Sequence, residues 1–225
     1  SGIDYNHKMF KDRIVAGYNF SDDGNPWDDI YDYNYHGTAV AGLLCGDYID
    51  FRRYGVAPDS TIVVAKTMNT VGRGSLQAIA NGINYCVEQG VDVINCSVGS
   101  QDDADSLQKA VRNAVAKGIP VVCAAGNEGN GDADGSVREV SYPAGYDDAI
   151  CVGAMDKNYK ITYFSNSNEF IDFIAPGTEI VTAYPENKYA IVEGTSFACP
   201  LISGMLLLLK QKFISIASMI GVSLL

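Results

Sequence analysis

The segment Gly194-Thr195-Ser196-Phe197-Ala198-Cys199-Pro200 places a hydroxyl where an apolar, helix-forming run begins. Gly194 permits a tight turn. Ser196 then sits beside the unpaired N–H groups of a helix start, where the helix dipole favours negative charge. A hydroxyl in that position has donors at hand for an oxyanion. An ordinary N-cap uses the same residue types, so the segment alone leaves both readings open. Pro200 falls early in the helix, where a missing N–H costs little.

A hydroxyl nucleophile needs a base. The chain has two histidines, His7 and His36. His36 opens the run His36-Gly37-Thr38-Ala39-Val40-Ala41-Gly42, whose small residues let a helix approach a sheet closely with the imidazole at its amino end. A hydrogen-bonded structural histidine fits the same run. His7 follows Asp4-Tyr5-Asn6 and reads as a surface residue. A third candidate is Asn127, in Ala124-Ala125-Gly126-Asn127-Glu128-Gly129 after an apolar strand. Its amide can donate to an oxyanion alongside the Ser196 N–H, and an asparagine in a left-handed turn is the plainer alternative.

These residues need a scaffold. Apolar runs at Ile14–Ala16, Thr61–Lys66, Val91–Cys96, Ile119–Ala124, Ala149–Gly153, Ile171–Ile174 and Glu179–Ala183 read as strands. Ser75–Gln89, Asp103–Lys117 and Ser196–Lys212 carry helical spacing. Asp103–Lys117 starts acidic and ends basic, as the macrodipole prefers. The alternation implies an α/β fold: a doubly wound, mostly parallel sheet in three layers, with helices on both faces. Sites in such sheets lie at the carboxyl ends of strands.

The 225 residues suit one domain with a sizeable core. A net charge of −11 argues against a nucleic-acid partner, which needs a basic face. Asp22, Asp23, Asp28, Asp29 and Asp32 cluster between Ser21 and Asp32. They read as a solvated loop, since the spacing lacks an EF-hand pattern. The six cysteines show no Cys-x-x-Cys pair and sit in apolar runs, as buried free thiols do. That favours a reducing, cytoplasmic setting, with secretion as the alternative. Phe213–Leu225 is apolar but only thirteen residues long, too short for a membrane span.

Taken together, His36-Gly-Thr-x-Val-Ala-Gly42, Ala124-Ala-Gly-Asn-Glu-Gly129 and Gly194-Thr-Ser-x-Ala-x-Pro200 resemble the subtilisin family of serine proteases, in the family's own order. Asn81–Gln89 and Val121–Gly129 resemble its intracellular bacterial members in particular. The resemblance runs from Ser1 to about Lys212. It implies peptide-bond hydrolysis, with Ser196 as nucleophile, His36 as general base and Asn127 as oxyanion donor. It further implies a substrate strand held between Gly72-Arg73-Gly74 and Ser97-Val98-Gly99. The walls of the primary specificity pocket would be Ala124-Ala125-Gly126 and Tyr142-Pro143-Ala144.

The family motif Asp-Ser-Gly-Ile-Asp meets this chain at Ser1-Gly2-Ile3-Asp4. The resemblance therefore sets the triad aspartate one residue before Ser1, together with the first core strand. Asp4 matches the second acidic position and is not assigned to the triad. Residues 1–212 are expected to form an incomplete peptidase domain and 213–225 an atypical tail, both ends being shortened. Ala39 and Leu201 stand where many relatives have histidine, and Met9 where many have a calcium-ligating aspartate. No cofactor is implied for the chemistry. A weak structural Ca²⁺ site on the carbonyls of Ala144, Tyr146 and Ala149 is the remaining metal expectation. The competing functional reading is an inactive homologue that binds peptides in the groove. An α/β-hydrolase esterase is a third, minor reading: its order would be Ser–Asp–His, whereas His36 precedes Ser196, and Gly194-Thr195-Ser196-Phe197-Ala198 lacks the second glycine of the elbow. Peptides or proteins are the expected partners, with no nucleic acid and no membrane; oligomeric state is left open.

Overall fold

A computed structural model describes residues 1–49, 52–131 and 139–219, with side chains to residue 214. After a short 3-10 turn at Lys8–Phe10, the chain order is β1 (Ile14–Asn19), α1 (His36–Cys45), β2 (Tyr48–Ile49), β3 (Arg52–Arg53), β4 (Ile62–Lys66), α2 (Leu76–Glu88) and β5 (Ile94–Cys96). It continues with α3 (Asp105–Ala116), β6 (Val121–Ala124), β7 (Ile150–Met155), β8 (Ile171–Pro176), β9 (Ile180–Tyr184), β10 (Lys188–Val192) and α4 (Thr195–Met219). The expected strands and helices are present, with ends shifted by a few residues. The β9–β10 hairpin and the short β2–β3 hairpin are antiparallel additions.

Strands β5-β6-β7-β8 form a parallel sheet, and β1 pairs β4 in a separate parallel pair. Its central strand β6 reads Val-Val-Cys-Ala and is buried at every position. That is the pattern of a strand covered on both faces. On one face, Ile83, Leu107, Val111 and Ala114 of α2 and α3 join Val121, Cys123 and Cys151 in the largest apolar cluster. On the other, Ala198, Cys199 and Ile202 of α4 meet Val122, Val152 and Ala154. The architecture is thus the three-layer α/β arrangement expected.

Ser75 caps α2, its hydroxyl accepting from the Ala78 N–H at 3.0 Å. The small residues of α1 serve a different contact from the one expected. Gly42 lies against the β9–β10 hairpin, not the main sheet: a Cβ there would meet Thr182 Oγ1 at 2.5 Å.

Two expectations fail. His7 is fully buried, not a surface residue. Its Nδ1 accepts from the Met9 N–H at 3.2 Å, and its Nε2 lies 3.1 Å from the Lys188 carbonyl. It thereby ties the amino-terminal turn to β10. The second concerns the carboxyl end: Lys210 and Lys212 do not end the helix, and α4 runs on to Met219. Lys210 projects outward to Asp92, 2.8 Å away. The tail is therefore a helical continuation as far as it is described, and residues 220–225 lie outside the described part. By length and composition Thr195–Ile214 is apolar enough to cross a membrane, with 39% of it buried. It is also the helix that begins with the serine and covers β6 and β7. All six cysteines are free and buried, as expected. Their burial is a packing fact and carries no argument about compartment.

Candidate active site

Ser196 occupies the first turn of α4, where its N–H has no intrahelical acceptor. The turn before it depends on Gly194, whose φ of +137° a side-chain-bearing residue rarely adopts. Pro200 stands deeper in the helix than expected, because α4 already starts at Thr195. Its missing N–H frees the carbonyl of Ser196. Ser97 repairs the loss, its hydroxyl donating to the Ser196 carbonyl at 2.8 Å. The Ser196 hydroxyl in turn donates to the Ser97 carbonyl at 3.1 Å. Asn95 sits beneath this exchange. Its Nδ2 donates to Ser97 Oγ at 2.9 Å, and its Oδ1 accepts from Ser203 Oγ of α4 at 2.9 Å.

Asn127 is anchored to the same helix start. Its Oδ1 accepts from the Thr195 N–H at 2.9 Å and from Thr195 Oγ1 at 3.0 Å. Thr195 Oγ1 also accepts from the Gly126 N–H at 3.3 Å. With its oxygen so occupied, the amide presents Nδ2 on an exposed side chain, beside Gly194 and toward the serine turn. An exposed, unspent N–H donor next to a free helix N–H is the arrangement an oxyanion requires.

His36 is the first residue of α1 and half-buried. Its ring lies 5.6 Å, centroid to centroid, from that of Phe197, the residue after the serine. Among the described residues the Ser196 hydroxyl bonds Ser97 and not His36, a loose geometry common in unliganded sites. Burial pushes the imidazole down to about 4 from an ordinary 6.5, the Ser1 amino group adds to the fall, and Asp32 opposes it. Asp32 is buried and holds the start of α1. Its Oδ2 accepts from the Thr38 N–H at 2.8 Å and the Thr38 hydroxyl at 2.6 Å, and its Oδ1 from the Asn34 and Tyr35 N–H groups. Asp4 is buried as well, spent on the N–H groups of Asn6 and Glu186.

The acidic segment is therefore not one solvated loop. Asp22 and Asp28 are exposed, but Asp32 is buried and Asp23 meets the buried Lys66 ammonium at 2.8 Å. Burial pushes the Asp23 carboxyl up, yet bonds from Lys66, the Asn25 N–H and Asn19 outweigh it and hold it well below the usual carboxylate range.

Of the two stretches expected to hold substrate, only Ser97-Val98-Gly99 is bonded to the serine turn, through Ser97. Gly72 and Arg73 belong to a turn closed by Asn69, whose carbonyl accepts from the Gly72 N–H at 3.0 Å and whose Oδ1 accepts from the Arg73 N–H at 2.9 Å, and Arg73 is exposed. Ser97-Val98-Gly99 leaves the carboxyl end of β5, and the next residue, Ser100, exchanges backbone bonds of 3.0 and 2.7 Å with Tyr142. That exchange joins the groove segment to Tyr142-Pro143-Ala144, which contains a cis bond before Pro143. Ala124 and Ala125 are buried at the carboxyl end of β6, and Gly126 turns upward from them. Asn166, missed in the sequence, braces this corner by donating to the Ala125 carbonyl and to Glu128 at 2.9 and 2.8 Å.

The metal expectations find little to build on. Met9 is fully buried in an apolar cluster with Ile3 and Phe10, unlike a hard-cation ligand. Ala144, Tyr146 and Ala149 are buried, and the Tyr146 carbonyl already accepts from the Ala149 N–H at 2.9 Å. Among the described residues no three His, Cys, Asp or Glu side chains converge as a metal set.

Fold and site together define an α/β protein with a serine at a helix start, a histidine whose ring lies against the next residue, Phe197, and a side-chain amide donor. Residues 1–219 match the pattern of the Subtilase family, a Peptidase_S8 family, and the chain belongs to it. It is 44% identical over 213 residues to the "Major intracellular serine protease" of Bacillus subtilis (strain 168), covering 94% of this chain and 66% of that protein. It is 42% identical to the "Intracellular serine protease" of Paenibacillus polymyxa, covering 94% of this chain and 64% of that protein. The chain thus spans just under two thirds of the length of these relatives. A cold-adapted subtilisin-like serine proteinase of known structure superposes with a TM-score of 0.80 at 31% identity, over 93% of this chain and 72% of that one.

Proposed function

We propose that this chain is the catalytic part of a serine endopeptidase acting on peptide or protein substrates. Ser196 Oγ attacks the scissile carbonyl carbon while His36 takes its proton. The developing oxyanion is met by Asn127 Nδ2 and the Ser196 N–H. His36 then gives the proton to the leaving amine as the C–N bond breaks, and water releases the acyl group by the same route. The third member of the triad, which orients His36, is an aspartate immediately before Ser1. The observation that carries this reading is the lock between Asn127 and Thr195, which aims an unspent amide at the turn holding Ser196. Substrate would lie extended between Gly72-Arg73-Gly74 and Ser97-Val98-Gly99, with its specificity side chain against Ala124-Ala125-Gly126 and Tyr142-Pro143-Ala144. No cofactor enters the chemistry. A structural cation on the Ala144, Tyr146 and Ala149 carbonyls would use the lone pairs that remain there. The names of the two relatives support a cytoplasmic location.

The test is hydrolysis of a chromogenic peptide by the chain extended at its amino end so that aspartate precedes Ser1. Turnover that disappears in Ser196→Ala, with circular dichroism unchanged, is expected. A folded protein that binds the peptide and never cleaves it would instead be a peptide-binding homologue.

A further inference from the structure

Asn95 sets an amide inside an apolar strand. Ile94 and Cys96 of β5 face the cluster of α2 and α3, so the alternation of the strand turns Asn95 to the other side, beneath α4. Its register partner Val122 packs in the α4 cluster. The amide is spent at both ends. Its Oδ1 accepts from Ser203 Oγ at 2.9 Å and from Cys199 Sγ at 3.3 Å, and its Nδ2 donates to Ser97 Oγ at 2.9 Å. Ser203 and Cys199 are fully buried, and Ser97 nearly so.

A hydroxyl has one proton to give. The Ser97 oxygen already accepts from the amide, and its proton goes to the Ser196 carbonyl, 2.8 Å away. That carbonyl is the one Pro200 deprives of its helical donor. Its need decides which way the amide stands. Turned end for end, Asn95 would present an oxygen to Ser97 and draw the proton away, and the Ser196 carbonyl would lose the donor that replaces Pro200. The other contact of the Ser203 hydroxyl, the Cys199 carbonyl at 3.2 Å, makes no such demand, because a helical carbonyl at that position faces the backbone N–H of Ser203 itself. Donation therefore runs one way: from Ser203 on α4 to Asn95, from Asn95 to Ser97, and from Ser97 back to α4 at Ser196. Bonds aligned in this sense strengthen one another.

We propose that Asn95 is a positioning residue for the nucleophile: it fixes the direction of this relay, so that the Ser97 proton is committed to the Ser196 carbonyl. The relay holds the backbone of Ser196 while its hydroxyl, bonded here to the Ser97 carbonyl at 3.1 Å, is free to exchange that bond for substrate. Asn95 touches no reacting atom and acts through Ser97. The catalytic part of this assignment rests on the protease reading above; the relay itself does not.

The experiment is a double-mutant cycle between Asn95→Asp and Pro200→Ala in the aspartate-extended chain. An ionised carboxylate of the same shape can only accept. It takes the Ser97 proton and strands the Ser196 carbonyl. With Pro200 in place, Asn95→Asp should lower kcat by about 10–10²-fold, the cost of a displaced reacting group, and leave KM within twofold. Pro200→Ala returns an N–H to the carbonyl, and in that background the same substitution should cost less than about threefold. A residue that only supports the fold would cost the same in both. Equal losses in the two backgrounds, or a change in KM alone, overturn the assignment. Should Asn95→Asp fail to fold, Cys199→Ala combined with Ser203→Ala tests the same point, because it strips Oδ1 of both donors and frees the amide to turn. A kcat loss of about threefold to tenfold is then expected with Pro200 and little loss with Pro200→Ala, and equal losses again overturn the assignment. If the parent folds and hydrolyses nothing, the protease reading falls, and urea unfolding decides the relay by itself. Asn95→Asp should lower the midpoint less in the Pro200→Ala background, and an equal fall in both overturns it.

Discussion

The two halves of the candidate site are built differently. Around Ser196 the chain is interlocked: Thr195 binds Asn127, Ser97 exchanges bonds with Ser196, and Asn95 ties Ser97 to Ser203. Around His36 the backbone is equally well held, through Asp32 and Thr38, but the imidazole itself is placed by packing, its ring 5.6 Å from that of Phe197. The nucleophile half is preorganised by residues far apart in sequence. The base half is held mainly by bonds within the segment around the start of α1.

The largest effect should come from breaking the nucleophile half. In the aspartate-extended chain, Ser196→Ala should lower kcat by about 10⁶-fold, the scale known for subtilisin itself. Steady-state kinetics with unchanged circular dichroism would check it. Asn127→Leu removes the amide donor together with the Oδ1 acceptor of the Thr195 N–H and hydroxyl, so the measurement is paired with circular dichroism. The change should cost about 10²–10³-fold in kcat with little change in KM. An equal rise in KM would mean that Asn127 binds the ground state instead.

A stability measurement separates the halves next. Ser97→Ala leaves the Ser196 carbonyl, already without the Pro200 N–H, short of its donor. Loss of about 1–3 kcal/mol in urea unfolding is expected. The base half should show itself through pH. His36 titrates near 4 when folded and near 6.5 otherwise, so the unfolded chain binds more protons between these values. His36 therefore makes stability fall as pH drops from about 6.5 toward 4. His36→Gln should flatten that part of the profile. The smallest effect is expected from Arg73→Glu at the groove rim. A fully solvated Arg73 would leave the cleavage profile unchanged, whereas a contact with substrate would lower the share of acidic residues near the cut.

Ser196, His36 and Asn127 were legible as candidates because each chemistry needs a particular residue type at a helix or strand end. The layer order was legible because buried parallel strands and amphipathic helices leave different periodicities. What was illegible depends on partners brought together only by folding. Asn95 interrupts an apolar strand, which is a signal, but its role is set by Ser203 and Ser97 on other segments. Asp32 looked like one of several loop acids until Thr38 and the start of α1 closed over it. His7 looked exposed among polar neighbours because β10, which buries it, lies far along the chain. The run of α4 past Lys212 was hidden because lysine stems lie along a helix while their ammonium groups reach water.

Labelling of the aspartate-extended chain with a fluorophosphonate, followed by peptide mass mapping, tests the central claim most directly. The expected result is one adduct, on Ser196, that is lost in His36→Ala. A folded chain with Ser196 unmodified, or with the adduct on another hydroxyl, would contradict it.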